Sequence, residues 1–393
     1  ASGDTVALAS GASATGFGAT GAVNWDTASI KTATFTAVSG SGYFCNTTAG
    51  VFNITLPASP SAGDIVGLKD YAGTFATYTL TIDRNGSKLD GVSTNKGVNV
   101  ANTSLTLIYV DGTQGWKSIE EGTGEMRDTF VVATGGNSIC SCGNYKIHTF
   151  TGPGTFCVSQ VSGKSANNAV AYMVVAGGAG GSGSPAPYAG GGGAGGFREG
   201  TTSPVVPYTA SPIVAATGIT VTASPYSITV GGGGSVGGGS YCRGGSGSDS
   251  TFSTITSAGG GGGGIYPAEP AGIAGGSGGG GAANAGAAGA GDTPSTTPDQ
   301  GFAGGAGSGC SGGGGGGATT VGATGGPNPV GNAGGTGATT YIPGSSITKA
   351  AGGHGYGAST PPVAGGCNTG NGAAGAPATG GSGIVVIRYK AHD

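Results

Sequence analysis

The chain is predicted to be mainly β, with N-terminal β-sandwich modules followed by a bundle of polyglycine II rods and essentially no α-helix. Three observations predict this. Glycine comes in unbroken runs, at 231–234, 259–264 and 312–317, and about 70 of the 94 glycines lie between Gly177 and Gly383. The earlier part is written in short Thr, Val, Ile, Phe and Tyr runs punctuated by turn residues, the pattern of strands. No helical period occurs anywhere.

Residues 1–24 are small and polar and read as an extended connector. They lack an initiating Met and the charged start and apolar core of a signal peptide, so the chain is expected to be a processed or truncated piece of something longer. Residues 25–124 read as one β-sandwich module. Its strands are expected at 30–36, 51–56, 65–68, 78–82, 105–110 and 116–119, a spacing typical of sandwiches. Asn85-Gly86 and Asp111-Gly112 are placed where hairpin turns need positive φ. Its expected core is Trp25, Phe35, Phe44, Phe52, Leu56, Ile65, Ile82, Leu107, Tyr109 and Trp116.

A second β segment, 125–175, has strands expected at 130–132, 145–150, 155–161 and 169–175, with Thr151-Gly152-Pro153-Gly154 as a turn that Pro and Gly pre-set. Its last strand runs straight into glycine. Residues 176–383 form the glycine-rich block, and 384–393 read as a closing strand expected to pair with the 125–175 segment. That pairing brings both ends of the block to one base and leaves its loops at the other end.

Collagen needs glycine at every third position, and the runs of four to six break that period. A flexible Gly/Ser linker is the stronger alternative. Glycine, however, permits backbone to pack directly on backbone. Polyproline II rods have three residues per turn and no internal hydrogen bonds, so all their N–H and C=O groups point outward to neighbouring rods. The blocks of glycine between Pro, Tyr, Ser and Asn loops favour such rods.

Only 8% of residues are charged and the net charge is −3, with no Lys/Arg-rich run, so nucleic-acid binding has no electrostatic support. No stretch of about twenty apolar residues exists, and no membrane insertion is expected. His148, His354 and His392 are isolated in the sequence, with His148 on an expected strand, where it reads as a structural residue. Gly163-Lys164-Ser165 fails as a phosphate loop because Val158 stands where glycine is required. No enzyme, cofactor or metal is expected.

Glu120, Glu121 and Glu125 read as a solvated junction, and Asp292 and Asp299 as exposed loop carboxylates. The Asn-x-Ser/Thr triplets at Asn46, Asn53, Asn85 and Asn102 read as chance products of Thr-rich strands. Seven cysteines preclude complete pairing within one chain. Cys140 or Cys142 with Cys157 is a candidate disulfide; a metal site with His148 and free thiols are the alternatives.

Loop residues between rods are the candidates for recognition: Tyr188, Tyr241, Tyr266, Tyr341 and Tyr356, with Arg243, Glu269 and His354 as charged or titratable neighbours. Tyr carries a flat apolar face and a hydroxyl with little entropy to lose, which suits a binding surface. Covering the flanks of the bundle is the alternative role for these rings.

Several strings carry a resemblance. Tyr145-Lys146-Ile147-His148-Thr149-Phe150, Gly152-Pro153-Gly154-Thr155-Phe156 and Tyr172-Met173-Val174-Val175-Ala176-Gly177-Gly178 resemble the entry to the glycine-rich terminal domain of bacteriophage tail fibres. Gly192-Gly193-Ala194-Gly195-Gly196-Phe197-Arg198, Tyr226-Ser227-Ile228-Thr229-Val230 and Gly381-Ser382-Gly383-Ile384-Val385-Val386-Ile387-Arg388-Tyr389 fit the same pattern. Residues 30–119, including Leu56-Pro57-Ala58-Ser59-Pro60 and Tyr109-Val110-Asp111, resemble fibre modules of phages that infect marine cyanobacteria. The resemblance implies a receptor-binding tail-fibre subunit, extracellular on the virion, whose tip loops contact a host glycan or outer-membrane protein without catalysis. It also implies a homotrimer joined to upstream virion or fibre components. The Pro/Thr-rich stretches 268–271 and 292–299 depart from the pattern. A structural filament or virion fibre, with rods serving rigidity and assembly, is the alternative.

Overall fold

The computed structural model describes residues 23–122, 127–128, 130–162, 164–183, 188–203, 205–239, 241–327, 331–357, 361–375 and 377–392. The connector expected at 1–24 falls almost entirely outside these, as do the side chains of Glu120, Glu121 and Glu125. Two compact units divide the chain, Ala1–Thr129 and Phe130–Asp393. No described helix is long and apolar enough to cross a membrane.

In the first unit the alternating runs form two five-stranded sheets. One runs Asn24–Lys31, Ser41–Cys45, Ile65–Asp70, Ser104–Asp111, Gly115–Gly122; the other Arg127–Asp128, Lys96–Val98, Leu80–Asp83, Phe52–Thr55, Phe35–Thr36. Pairing is parallel among the first three strands of the one and the last three of the other. Successive strands therefore wind from sheet to sheet as a coil before Ser104–Asp111 and Gly115–Gly122 close as an antiparallel hairpin. Asn85 and Gly86 do take positive φ, 46° and 89°. They belong to a longer connection between Leu80–Asp83 and Lys96–Val98. At the Asp111 hairpin the left-handed residue is Gly115, not Gly112, because Asp111 Oδ1 accepts from the N–H groups of Thr113 and Gln114 at 2.8 and 2.7 Å.

The core between these sheets includes Tyr43, Cys45, Phe52, Ile54, Leu56, Val66, Leu68, Leu80, Ile82, Leu105, Leu107 and Trp116. Two expected core aromatics lie elsewhere. Trp25 is register partner to Gly42, which shares a sheet face with Phe44 and points away from Tyr43 and Cys45. Its ring lies over Gly42, where a Cβ would sit 2.7 Å from ring carbons, and 5.3 Å from the ring of half-buried Phe44.

In the second unit, one sheet runs Ser138–Cys142, Tyr145–Phe150, Ile384–Lys390, Ala169–Val175, Phe197–Gly200, Val214–Ala215, with Ile219–Thr220 also pairing with Ala169–Val175. The other runs Val132–Thr134, Gly154–Gln160, Pro225–Thr229, Ser250–Phe252, Ile255–Ser257. The turn at 151–153 thus carries the chain from one sheet to the other. Phe150, Phe156, Tyr172, Ile228, Phe252, Ile387 and Tyr389 fill the space between them. The opposite face of the first sheet, with Ile147, Met173, Val175 and Val386, is covered by Ile342 and by rod residues Ala194, Ala318 and Ala350. Every residue of Ala169–Val175 is buried, which explains its unbroken apolar reading.

His148 is fully buried in this base. Its Nδ1 lies 2.7 Å from the Gly135 carbonyl, which only a ring N–H can satisfy, so Nε2, 3.1 Å away, accepts from the Tyr389 hydroxyl. Burial holds its pKa below the ordinary 6.5, against the raising effect of the Gly135 hydrogen bond. The seven cysteines are free thiols. The candidate disulfide is absent because Cys140 and Cys142 lie on Ser138–Cys142 in one sheet and Cys157 on Gly154–Gln160 in the other.

The glycine block is a rod bundle, and its hydrogen bonds repeat every three residues. In the rod 176–183, Ala176 and Ala179 donate to Gly196 and Gly193; Gly177, Gly180 and Gly183 donate to Ser248, Gly245 and Cys242; Gly178 and Gly181 donate to Gly381 and Ala378. The N–H groups turn through three neighbours in succession, as three residues per turn require. The rod 189–196 does the same: Gly190, Gly193 and Gly196 bond to Gly264, Gly261 and Ala258, Gly191 and Ala194 to Gly313 and Gly316, Gly192 and Gly195 to Ala373 and Gly370, all at 2.8–3.0 Å. A Cβ on Gly193 would collide with the Ser277 carbonyl and one on Gly315 with that of Gly192. Glycine is what lets carbonyls of one rod seat against Cα atoms of the next.

Candidate functional site at the bundle tip

The rod contacts sort the connecting loops into two ends. Val175 leads into the first rod from the base sheet, and Gly183, at the rod's far end, donates to Cys242. The next rod returns from Gly190, bonded to Gly264, to Gly196, bonded to Ala258 beside the base hairpin of Ser250–Phe252 and Ile255–Ser257. Residues 188, 241–243, 265–271, 283–285, 308–311, 326–327 and 356 therefore gather at the tip. Residues 197–203, 205–230, 250–257, 292–300 and 338–349 lie at the base. Of the two departing stretches, 268–271 is at the tip and 292–299 at the base.

The tip is assembled around Ala189 and Ile265, both fully buried, with Tyr356 packed on them. Backbone bonds tie the pieces together: Tyr356 N–H donates to Ala189 O at 2.9 Å and Ala283 N–H to Tyr188 O at 3.2 Å, while Ile265 and Glu269 exchange bonds at 2.8 and 2.9 Å across a tight turn. That turn presents Tyr266, whose ring centroid is 5.9 Å from that of Tyr188. Glu269 Oε2 stands 3.8 Å from Arg243 Nε, and both side chains reach solvent. Tyr241, two residues before Arg243, takes a left-handed φ of 66° and is exposed.

Six of the eight candidate recognition residues, Tyr188, Tyr241, Arg243, Tyr266, Glu269 and Tyr356, are thus placed at this end. His354 is exposed two residues before Tyr356, and its carbonyl accepts from Gly375 N–H at 2.8 Å. Tyr341 is at the wrong end for a tip residue. Its N–H donates to Thr209 O, and the turn it opens reaches Gly344 beside Cys142 on the base sheet. Its place follows from the Ala338–Thr340 and Ile347–Lys349 hairpin, which stands where a loop between rods is expected. The seat formed by Ala189 and Ile265 was also missed. Ile265 directly after a run of six glycines was the available signal.

The two loop carboxylates differ. Asp292, although burial pushes its pKa upward, is held below the usual carboxylate value by bonds from Gln300, Thr296 and Ser295, so it organises its loop. Asp299 is exposed. Among the described residues no group of three His, Cys, Asp or Glu side chains is placed to hold a metal ion.

Aromatic faces with hydroxyl edges, beside the half-buried Arg243 and the exposed Glu269, can stack on apolar ring faces of a ligand and hydrogen-bond its polar rim. Residues 149–390 match the family described as a glycine-rich domain. No curated protein matches the chain.

Proposed function

The chain belongs to the glycine-rich domain family, and we propose that it is a tail-fibre or adhesin subunit of a bacteriophage that binds a bacterial cell-surface glycan or outer-membrane protein without catalysis. The observation that carries this reading is the convergence of Tyr188, Tyr266 and Tyr356 with the Arg243–Glu269 pair at the end of the bundle remote from the sheets. A bundle held by interlocked backbone is a stiff support, and a stiff support bearing Tyr on loops loses little entropy on binding. In this reading the protein acts outside the cell as part of the virion, joined to upstream fibre components and assembled as a homotrimer. The resemblance to fibres of cyanobacterial phages supplies the first hosts to test.

The test is binding of the fluorescently labelled chain to candidate host and non-host cells, beside the Tyr188→Ala/Tyr266→Ala variant. Host-selective binding reduced at least tenfold in the variant, with the melting temperature unchanged, supports an adhesin tip. Equal binding to all cells, or none, turns the reading to a structural fibre.

A further inference from the structure

The first unit holds a cleft of about 450 Å³, built from none of the residues that form the tip. Three connections wall it. Residues 59–60 follow the strand Phe52–Thr55, residues 85–93 follow Leu80–Asp83, and Tyr109 and Gly112 belong to the hairpin of Ser104–Asp111 and Gly115–Gly122. They meet at one end of the sandwich because Phe52–Thr55 and Leu80–Asp83 run parallel, while Ile65, which the first connection leads into, pairs with Ile108 of the hairpin. Hydrogen bonds fix the walls in place. Asn85 Nδ2 donates to Leu56 O and Arg84 Nη1 to Ser87 O, both at 2.9 Å. Trp116 N–H donates to Lys88 O at 2.9 Å, and a Cβ on Gly115 would strike that same carbonyl. The Tyr109 backbone is held on both sides, its N–H by Asp64 O at 2.8 Å and its carbonyl by Gly63 N–H at 2.9 Å. Its ring rests edge-on against that of fully buried Trp116, with 5.6 Å between centroids.

The chemistry of the lining is polar. Ser59, Ser87, Ser93 and Tyr109 bring hydroxyls that make no hydrogen bond among the described residues. Pro60 and the Tyr109 ring supply the apolar surface. Among the described residues Lys88 alone brings a charge to the lining. It is half-buried, and its Nζ makes no hydrogen bond or salt bridge among them. Lys88 acts on the Asp111 carboxylate only through its charge, and that carboxylate is already engaged by the N–H groups of Thr113 and Gln114. At the rim, Gly112 has no left-handed φ, and a Cβ added there would meet nothing within 4 Å. Neither conformation nor packing within the chain calls for glycine at that position, whereas close approach of a ligand does.

We propose that this cleft binds an acidic saccharide, with a ring carboxylate on Lys88, sugar hydroxyls on the serine and tyrosine hydroxyls, and the C–H face of a ring on Tyr109 and Pro60. Its size falls within the range of small-molecule sites, but such sites are mostly apolar when they take drug-like ligands. A lining of hydroxyls around one aromatic face suits a polyhydroxylated ring instead. The unpaired ammonium selects among sugars, because a carboxylate gains a charge-assisted hydrogen bond that a neutral ring lacks. Phosphate fits less well, since its double charge is usually met by an Arg fork or a helix N-terminus, and neither lines the cleft. Walls already fixed by backbone bonds leave little ordering cost on binding. The site belongs to a different stretch of chain from the tip and does not rest on the reading of the tip as an adhesin.

The experiment titrates the full chain with a galacturonate trisaccharide and with its neutral galactose counterpart by calorimetry, with hydrogen exchange read on the peptide spanning 85–93. Lys88→Gln and the tip variant Tyr188→Ala/Tyr266→Ala are titrated beside the wild type, and melting temperatures check that both fold. The expected result is binding of the acidic trisaccharide at least tenfold tighter than the neutral one, with slower exchange of the 85–93 amides. Lys88→Gln should lower the acidic affinity to the neutral level at an unchanged melting temperature, and the tip variant should bind as the wild type does. Absence of binding, equal affinity for the two sugars, or acidic binding that survives Lys88→Gln overturns the proposal. So does acidic binding that is lost in the tip variant, which would place the saccharide at the tip, whereas failure of the tip variant to alter cell binding bears only on the adhesin reading.

Discussion

Val175 and Ile384 are register partners on adjacent antiparallel strands, so the chain leaves the base for the glycine bundle and re-enters it at the same rung. The chain returns to the base several times between these two strands, and Gly383 N–H bonds to Gly231 O one residue beyond the shared rung. Closing the block this way fixes which loop ends face the sheets and which face away, and that is the geometry that gathers the tip tyrosines.

Rod interiors should tolerate no side chain. Gly315→Ala places a methyl group against the Gly192 carbonyl, and a main-chain obstacle cannot swing aside. We expect a loss of about 3 kcal/mol, the upper end of the cost of overpacking, measured by denaturant unfolding of the glycine-rich unit.

The base should weaken in acid through His148. Its folded pKa lies below the unfolded value near 6.5 because burial disfavours the imidazolium, so below that pH the unfolded chain takes up a proton that the folded chain refuses. Stability is present in full above about pH 6.5 and falls as the pH drops toward the folded pKa. Melting curves from pH 7.5 to 5 should show this loss, and His148→Gln should flatten that part of the profile.

Thiol reactivity should divide by burial. Cys140, Cys157, Cys242, Cys310 and Cys367 are exposed and Cys142 half-buried, whereas Cys45 is buried in the first unit, its thiol pushed up to about 12 by burial. Since the thiolate is the reactive form, mass spectrometry after brief alkylation of the native protein should find the five exposed cysteines modified and Cys45 unmodified until unfolding.

Glu199 should matter to the base rather than to recognition. Its buried carboxylate accepts from Ser211 N–H at 2.9 Å and Thr340 Oγ1 at 2.6 Å, tying Ser211 and the Ala338–Thr340 strand to Phe197–Gly200. Glu199→Ala strands those donors, at about 1–3 kcal/mol each. Calorimetry should show a lower melting temperature with cell binding intact well below it.

The mainly β class and the rod bundle were legible because both rest on local chemistry. Alternating Thr, Val, Ile and Phe runs can only half-bury as strands, and runs such as 259–264 and 312–317 have no side chains with which to build anything but backbone contacts. The closing run Ile384–Lys390 was visible as a strand for the same reason. What tertiary structure decided was direction and partnership. Trp25 is expected in the core, yet the register with Gly42 turns it outward. Tyr341 looks like Tyr266 in sequence, a ring beside Ile with Pro and Gly close by, but a hairpin carries it to the base while a return from Gly264 carries Tyr266 to the tip. Residue type determines what a segment can bury and how it can hydrogen-bond. Which end of a rod a loop occupies depends on hydrogen bonds between residues dozens to more than a hundred positions apart, and nothing in a run of identical glycines distinguishes one neighbour from another.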